Sequence, residues 1–183
     1  MKLFRKLAAA ALAGVMALSM LPGCALGDAA KENAMLKALQ TVGNIDSVKV
    51  SEDKDLSKKA HGVFSAFKAA EGDAWNAEYP VDKNPNIFIA KVVYKEIPYI
   101  VAVTEMPKNA KDSINWGHAA AIICNGLWYC IEWDDKDKTS GKLKVGFDVM
   151  NDAKLTDTQE KAEDYMVVFA KLPASGTGSG SHS

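Results

Sequence analysis

The most constraining feature of this sequence is an uncharged stretch from Leu7 to Leu21. Lys2, Arg5 and Lys6 precede it, and nearly every residue within it is Ala, Leu, Val or Met. The stretch is short for a permanent membrane-spanning helix, but a positive start followed by such a run is typical of a secretory signal. The sequence therefore predicts export, and it leaves the residues that follow this segment to form the folded domain.

The signal ends in Leu21-Pro22-Gly23-Cys24, which resembles the lipobox of bacterial lipoproteins. This resemblance implies that residues 1–23 are a signal peptide and that Cys24 is diacylated as the new amino terminus. Because two acyl chains hold a soluble domain stably on a membrane, we expect a lipid-anchored protein on the extracytoplasmic face of the cell membrane. Two alternatives stay open, namely ordinary secretion after cleavage near Ala25–Gly27 and retention of the apolar run as a helical anchor.

Composition limits the kinds of partner. Three of the 22 basic residues and none of the 23 acidic residues precede Cys24, so the rest of the chain carries a net charge of −4. Arg5 is the single arginine, whereas nucleic-acid recognition normally uses an arginine-bearing basic face. The sequence lacks a Gly-rich phosphate loop, HExxH and CxxC, and Asp134–Lys138 does not meet EF-hand spacing. We therefore expect no nucleic acid, cofactor or metal.

Two amphipathic helices are predicted at the start of the exported part. The first runs from Ala29 to Val42 and ends at Gly43, and the second is capped by Asp53 or Asp55 and ends at Gly72. Their apolar positions follow helical spacing: Met35, Leu36, Leu39 and Val42, then Leu56, Ala60, Val63, Phe64 and Phe67. His61 falls on the polar side of the second helix, which predicts a solvated surface histidine.

Strand patterns dominate the remainder of the chain. The predicted strands are Asn86–Tyr94, Pro98–Glu105, His118–Cys124, Leu127–Trp133, Lys142–Val149 and Tyr165–Lys171. Lys95–Glu96 and Asn125–Gly126 read as hairpin turns between neighbouring strands. The predicted fold is α+β, with two N-terminal helices packed on an antiparallel sheet of about six strands. This single domain spans 29–173, after a lipid-anchored linker at 24–28 and before a disordered Gly/Ser-rich tail at 174–183.

The segment Gly117–Asp135 resembles the His-hairpin-acid stretch of transglutaminase-like and other papain-like cysteine hydrolases. The resemblance implies that His118 is the general base and that Glu132 orients it. A two-residue turn at Asn125–Gly126 would place these two side chains on opposite faces of the hairpin. The same turn would place the two cysteines of the hairpin on opposite faces, so they would not form a disulfide. No cysteine lies between the lipobox and His118 to serve as an upstream nucleophile.

A second resemblance is to secreted CAP (SCP-like) domains. It is carried by the two helical patterns around Met35–Leu36 and Leu56–Ala60, followed by Trp116-Gly117-His118 and Ile122–Ile123. This resemblance implies a three-layered α/β/α sandwich with a helix at His118.

The favoured functional hypothesis is a non-catalytic lipoprotein domain that binds a ligand or partner outside the cell. Trp75, Tyr79 and Trp116 lie in predicted loops, where exposed aromatic residues commonly contact ligands. They are the candidate ligand-binding residues. The alternatives are a divergent hydrolase or pseudo-enzyme that uses His118, and a divergent CAP-type extracellular domain.

Overall fold

The computed structural model describes residues 28–45, 47–70, 87–106, 113–134 and 141–173, with only the backbone described for 113–118 and 132–134. These residues form four helices and five strands. In chain order they are α1 (Asp28–Ile45), β1 (Lys49–Glu52), α2 (Lys54–Ser57), α3 (Ala60–Ala69), β2 (Ile87–Tyr94), β3 (Ile97–Glu105), α4 (Ser113–Asp134), β4 (Lys142–Ala153) and β5 (Glu163–Lys171).

The strands form one sheet in the order β1-β4-β5-β3-β2. β1 runs parallel to β4, and the other neighbouring strands are antiparallel. The α+β class is thus confirmed, but the predicted antiparallel sheet of about six strands is wrong. Within the described residues the sheet is mixed and has five strands, because one predicted hairpin is a helix and the short β1 was missed.

Helices cover both faces of this sheet. On the central strand β5, Met166, Val168 and Ala170 pack into the core shared with α1 and α4. The alternate residues of β5, such as Val167 and Phe169, pack into a second core with α2 and α3. Alternation along a strand sends successive side chains to opposite faces. The domain therefore has two cores separated by the sheet, rather than one face packed and one face solvated.

α4 replaces the hairpin predicted around Asn125–Gly126. Ala120, Ile123, Leu127 and Cys130 are all fully buried, at spacings of three, four and three residues, which is the stripe of an α-helix. The sequence alone favours a hairpin here because apolar residues also occupy the positions between these four. When a helix is buried on several sides its periodicity is masked, and a continuous apolar run fits a helix and a strand equally well.

Gly126 has a packing role in this helix. A Cβ atom built at Gly126 would lie 2.5 Å from Cδ1 of Ile89, so the glycine marks a close approach between α4 and β2. Gly43 plays a similar role in α1, which continues through it to Ile45. A Cβ there would lie 2.5 Å from the carbonyl oxygen of Val48. Both glycines permit close packing and end no element.

Two local predictions from sequence agree with the structure, one of them in part. Asp53 caps α2, since its Oδ1 accepts hydrogen bonds from the amides of Asp55 at 3.0 Å and Leu56 at 3.2 Å. The predicted second helix is nevertheless interrupted, and α3 begins separately at Ala60. The turn at Lys95–Glu96 is confirmed, with both residues in the left-handed region at φ values of 48° and 64°.

Gly146 provides a test of the contact between α2 and the sheet. A Cβ at this position would lie 2.9 Å from Leu56 Cβ and 2.7 Å from the Phe169 ring, and neither atom is a flexible chain end. We expect Gly146→Ala to lower the free energy of unfolding by about 1–3 kcal/mol, measured by urea denaturation. Gly126→Ala is the matched control. Its obstacle is a movable methyl group and alanine favours a helix, so its effect should stay within about 1 kcal/mol.

The β2–β3 turn allows a test in which the substitution should raise the free energy of unfolding. Two consecutive left-handed residues suit Asn-Gly far better than Lys-Glu. The double change Lys95→Asn with Glu96→Gly should therefore raise the free energy of unfolding by about 1 kcal/mol. Thermal and urea unfolding measure this gain. An unchanged or lower stability would show that the turn does not adopt this conformation in solution.

Candidate functional site

The most distinctive polar site lies on the part of β4 that extends beyond its pairing with β1. β1 pairs only with Lys142–Val145, although β4 continues to Ala153. Side chains replace the missing strand: the amide of Phe147 donates to Ser57 Oγ at 3.1 Å, and the amide of Val149 donates to Asp148 Oδ1 at 2.8 Å. Bare strand edges invite pairing with other chains, so these contacts protect part of the β4 edge.

Asp148 also joins this edge to α3. Its Oδ2 lies 2.9 Å from Nδ1 of His61, and the side chains of Asp148 and His61 are 28% and 82% exposed. Because an ionised carboxylate only accepts hydrogen bonds, the hydrogen of this contact belongs to Nδ1. The pair therefore fixes the imidazole in one orientation. At such exposure an ion pair contributes about 0–1 kcal/mol to stability.

A histidine oriented by a carboxylate is also half of a catalytic triad, which would require a nucleophile beside His61. Ser57 and Ser65, each four residues from His61, are the nearest hydroxyls in sequence, and Ser65 donates to the His61 carbonyl oxygen at 2.8 Å. Ser57 accepts from the Phe147 amide and donates to Glu52 Oε1 at 3.4 Å. Its hydrogen is thus directed away from His61. In the described part of the chain, the His61–Asp148 pair connects a helix to a strand, and neither of these two hydroxyls donates to the imidazole.

Carboxylates gather beside this pair, at the start of α1. Asp28 accepts a hydrogen bond from the Asn151 side chain at 2.9 Å and lies 3.5 Å from Lys31. Burial raises the pKa of Glu32 above its usual value, and the charges of Asp148 and other nearby carboxylates raise it further. Across the described residues, no three acidic, histidine or cysteine side chains are placed to share a metal ion.

His118 and Glu132, the candidate catalytic pair, both lie in α4. Fourteen residues separate them, which at about 1.5 Å per residue places their Cα atoms roughly 21 Å apart. Glu132 therefore cannot orient His118, and the predicted strand geometry of a papain-like hydrolase is wrong for this segment. The reason is the helix itself, since it removes the turn on which the resemblance depended.

The structure describes the remaining predicted site residues only in part or not at all. Trp116 belongs to the first part of α4 and not to a loop, and only its backbone is described. Trp75, Tyr79 and Cys24 lie outside the described residues. Their assignment as ligand-binding residues and lipidation site stays a prediction. None of the described helices is both long and apolar enough to cross a membrane.

Asp148 was not predicted as a site residue, although the sequence holds a signal for it. Gly146, Asp148 and Met150 alternate with apolar residues of β4, so Asp148 occupies a position that faces the second core. A carboxylate placed beside a core requires a partner. That rule predicts some partner for Asp148, but only the packing of α3 on the sheet identifies His61.

Glu32 gives the site a pH-dependent test. Since its pKa is raised in the folded state, the charged form is penalised by folding, and this penalty appears as pH rises through the raised pKa. Glu32→Gln should therefore raise the thermal midpoint at pH 7. The gain should vanish below about pH 4, where the carboxyl is protonated in both states. Glu160→Gln, which removes the same charge from an exposed side chain, should give a smaller shift.

Comparison with known proteins yields no relatives. No family model matches the chain, and neither the curated proteins nor the solved structures include a match.

Proposed function

We propose that the protein is an exported lipoprotein, anchored through a diacylated Cys24, whose folded domain binds a ligand or partner on the extracytoplasmic face of the membrane. The observation that carries this proposal is the start of α1 at Asp28, four residues after Cys24. A folded domain that begins directly after the lipobox cysteine supports this proposal, because an acylated Cys24 would be the first residue of the mature chain and would hold the domain at the membrane.

The short connection also orients the domain. Ala25, Leu26 and Gly27 alone separate Cys24 from α1, and three residues reach about 10 Å when fully extended. An anchored domain would hold the first turn of α1 close to the lipid headgroups. Asn151 would be held there as well, because its side chain is hydrogen-bonded to Asp28. We call this end of the molecule the tether end.

Binding is favoured over catalysis because the polar side chains of the candidate site already form hydrogen bonds within the fold. The hydroxyl of Ser57 is committed to Glu52, and His61 is committed to Asp148. Ser57 and Asp148 also accept the Phe147 and Val149 amides at the edge of β4, so these groups serve the fold. The hydrolase alternative that used His118 has lost its geometric basis, because α4 replaces the hairpin on which it rested.

A divergent CAP-type domain is the second candidate. The helix that contains Trp116–His118 and Ile122–Ile123, together with the helices on both sheet faces, favours it. The position of β1 between α1 and α2 departs from the pair of helices with which CAP domains begin. This candidate also places the domain outside the cell.

Anchoring can be tested by Cys24→Ala in the expressing bacterium. The wild-type protein should incorporate radiolabelled palmitate and partition into the detergent phase, because its acyl chains join the micelle. Cys24→Ala should lose the label and either leave the membrane or persist as an unprocessed precursor. Cys124→Ala, which removes a buried cysteine, should retain both properties. Full labelling and unchanged partitioning of Cys24→Ala would contradict the proposed anchor.

A further inference from the structure

Four lysines form an exposed group at the end of the sheet opposite the tether end. They are Lys49 on β1, Lys142 and Lys144 on β4, and Lys171 on β5. We call this group the lysine corner. β1, β4 and β5 are adjacent strands, so the four side chains start from neighbouring positions of one sheet.

All four lysines face the same side of the sheet. Leu143 and Val145 pack into the core with α1 and α4, so Lys142 and Lys144 project from the opposite face. Lys49 alternates in the same way with Val50, which belongs to that core. Lys171 continues the series of Val167 and Phe169, which face α2 and α3. The lysine corner therefore lies on the face of α2 and α3, at a margin that those helices leave exposed.

The charges of the lysine corner are not neutralised within the described residues. Lys49 and Lys142 are direct cross-strand partners, and like charges in such positions oppose folding. The ion pairs Lys31–Asp28, Lys58–Asp55 and His61–Asp148 do not include a lysine of the corner. A bound anion would remove this repulsion. The chain after the signal carries a net charge of −4, so any attraction of anions here is local.

The lysine corner and the tether end lie at opposite ends and on opposite faces of the sheet. Asn151, which contacts Asp28, is seven residues along β4 from Lys144, or roughly 23 Å at about 3.3 Å per residue. α1 lies on one face of the sheet and the corner on the other. A linker of about 10 Å cannot bring both to one plane. If the protein is anchored through Cys24 as proposed, the lysine corner points away from the membrane.

We propose that the lysine corner binds a flexible anionic polymer of the extracytoplasmic space, of the phosphate-chain type. The direction of the corner rests on the proposed lipid anchor; the binding chemistry does not. Lysine ammonium groups act as point charges without fixed geometry, which suits a mobile chain of repeated anions. Folded nucleic acid fits less well because the exported part has no arginine. The membrane that holds the proposed anchor would lie at the tether end, so its lipids would not reach the lysine corner.

Long-chain polyphosphate is a suitable probe for the full-length protein in a non-ionic detergent. Binding is followed by fluorescence anisotropy of labelled polyphosphate. Four lysine contacts predict that affinity falls roughly 50-fold between about 50 and 200 mM salt, through release of counterions. Changing Lys49, Lys142, Lys144 and Lys171 together to Gln should reduce affinity at least tenfold at low salt and flatten the salt dependence.

The matched control changes Lys31, Lys37, Lys154 and Lys161 to Gln, which removes the same charge away from the corner. It should keep most of the affinity. Polyphosphate should raise the thermal midpoint of the wild type and of this control, but not of the corner variant. The corner variant alone should melt at or above the wild-type midpoint, because cross-strand repulsion is gone. This last measurement also verifies that the variant folds.

Equal binding of polyphosphate by the wild type and the corner variant would overturn the proposal. So would corner-dependent binding of the Cys24→Ala chain to phosphatidylglycerol vesicles without binding to polyphosphate, since the partner would then be a membrane. Failure of the anchor is a separate result. A secreted protein that binds polyphosphate through the corner would refute only the anchoring, and an anchored protein that does not bind would refute only this inference.

Discussion

The rest of the structure depends on the burial of β5 on both faces of the sheet. Every residue from Tyr165 to Ala170 is buried. A strand that is apolar on both sides needs a helical layer above and below it, since neither face can remain in water. α1 and α4 meet this need on one face, and α2 and α3 on the other. The second pair is short, and its limited length leaves the lysine corner exposed.

Close approaches between these layers are set by glycine. Gly43 brings α1 near the start of β1, and Gly146 brings α2 onto β4 beside Phe169. A side chain at either position would push a helix away from the sheet. Such spacing explains why α2 can place Ser57 against the Phe147 amide, and why α3 can place His61 beside Asp148. The polar edge of β4 is thus a consequence of how the apolar layers pack.

The domain has two chemically different ends. Carboxylates gather where α1 begins and β1 ends, and burial keeps the pKa of Glu32 raised there. Lysines gather at the start of β1 and β4 and the end of β5. Because β1 and β4 are parallel and β5 is antiparallel to them, residues far apart in the sequence reach the same end. Such a separation of charge would give a short-tethered domain a defined inner and outer side.

The sequence by itself determined the features that depend on local chemistry. The Asp53 cap, the Lys95–Glu96 turn and the strands that flank it need only neighbouring residues to be recognised. Only tertiary structure decided that α4 is a helix, because a uniformly apolar run satisfies either conformation until the layer that buries it is known. The same holds for His61 with Asp148, and for the lysine corner. Strand order, not spacing along the chain, brings those residues together.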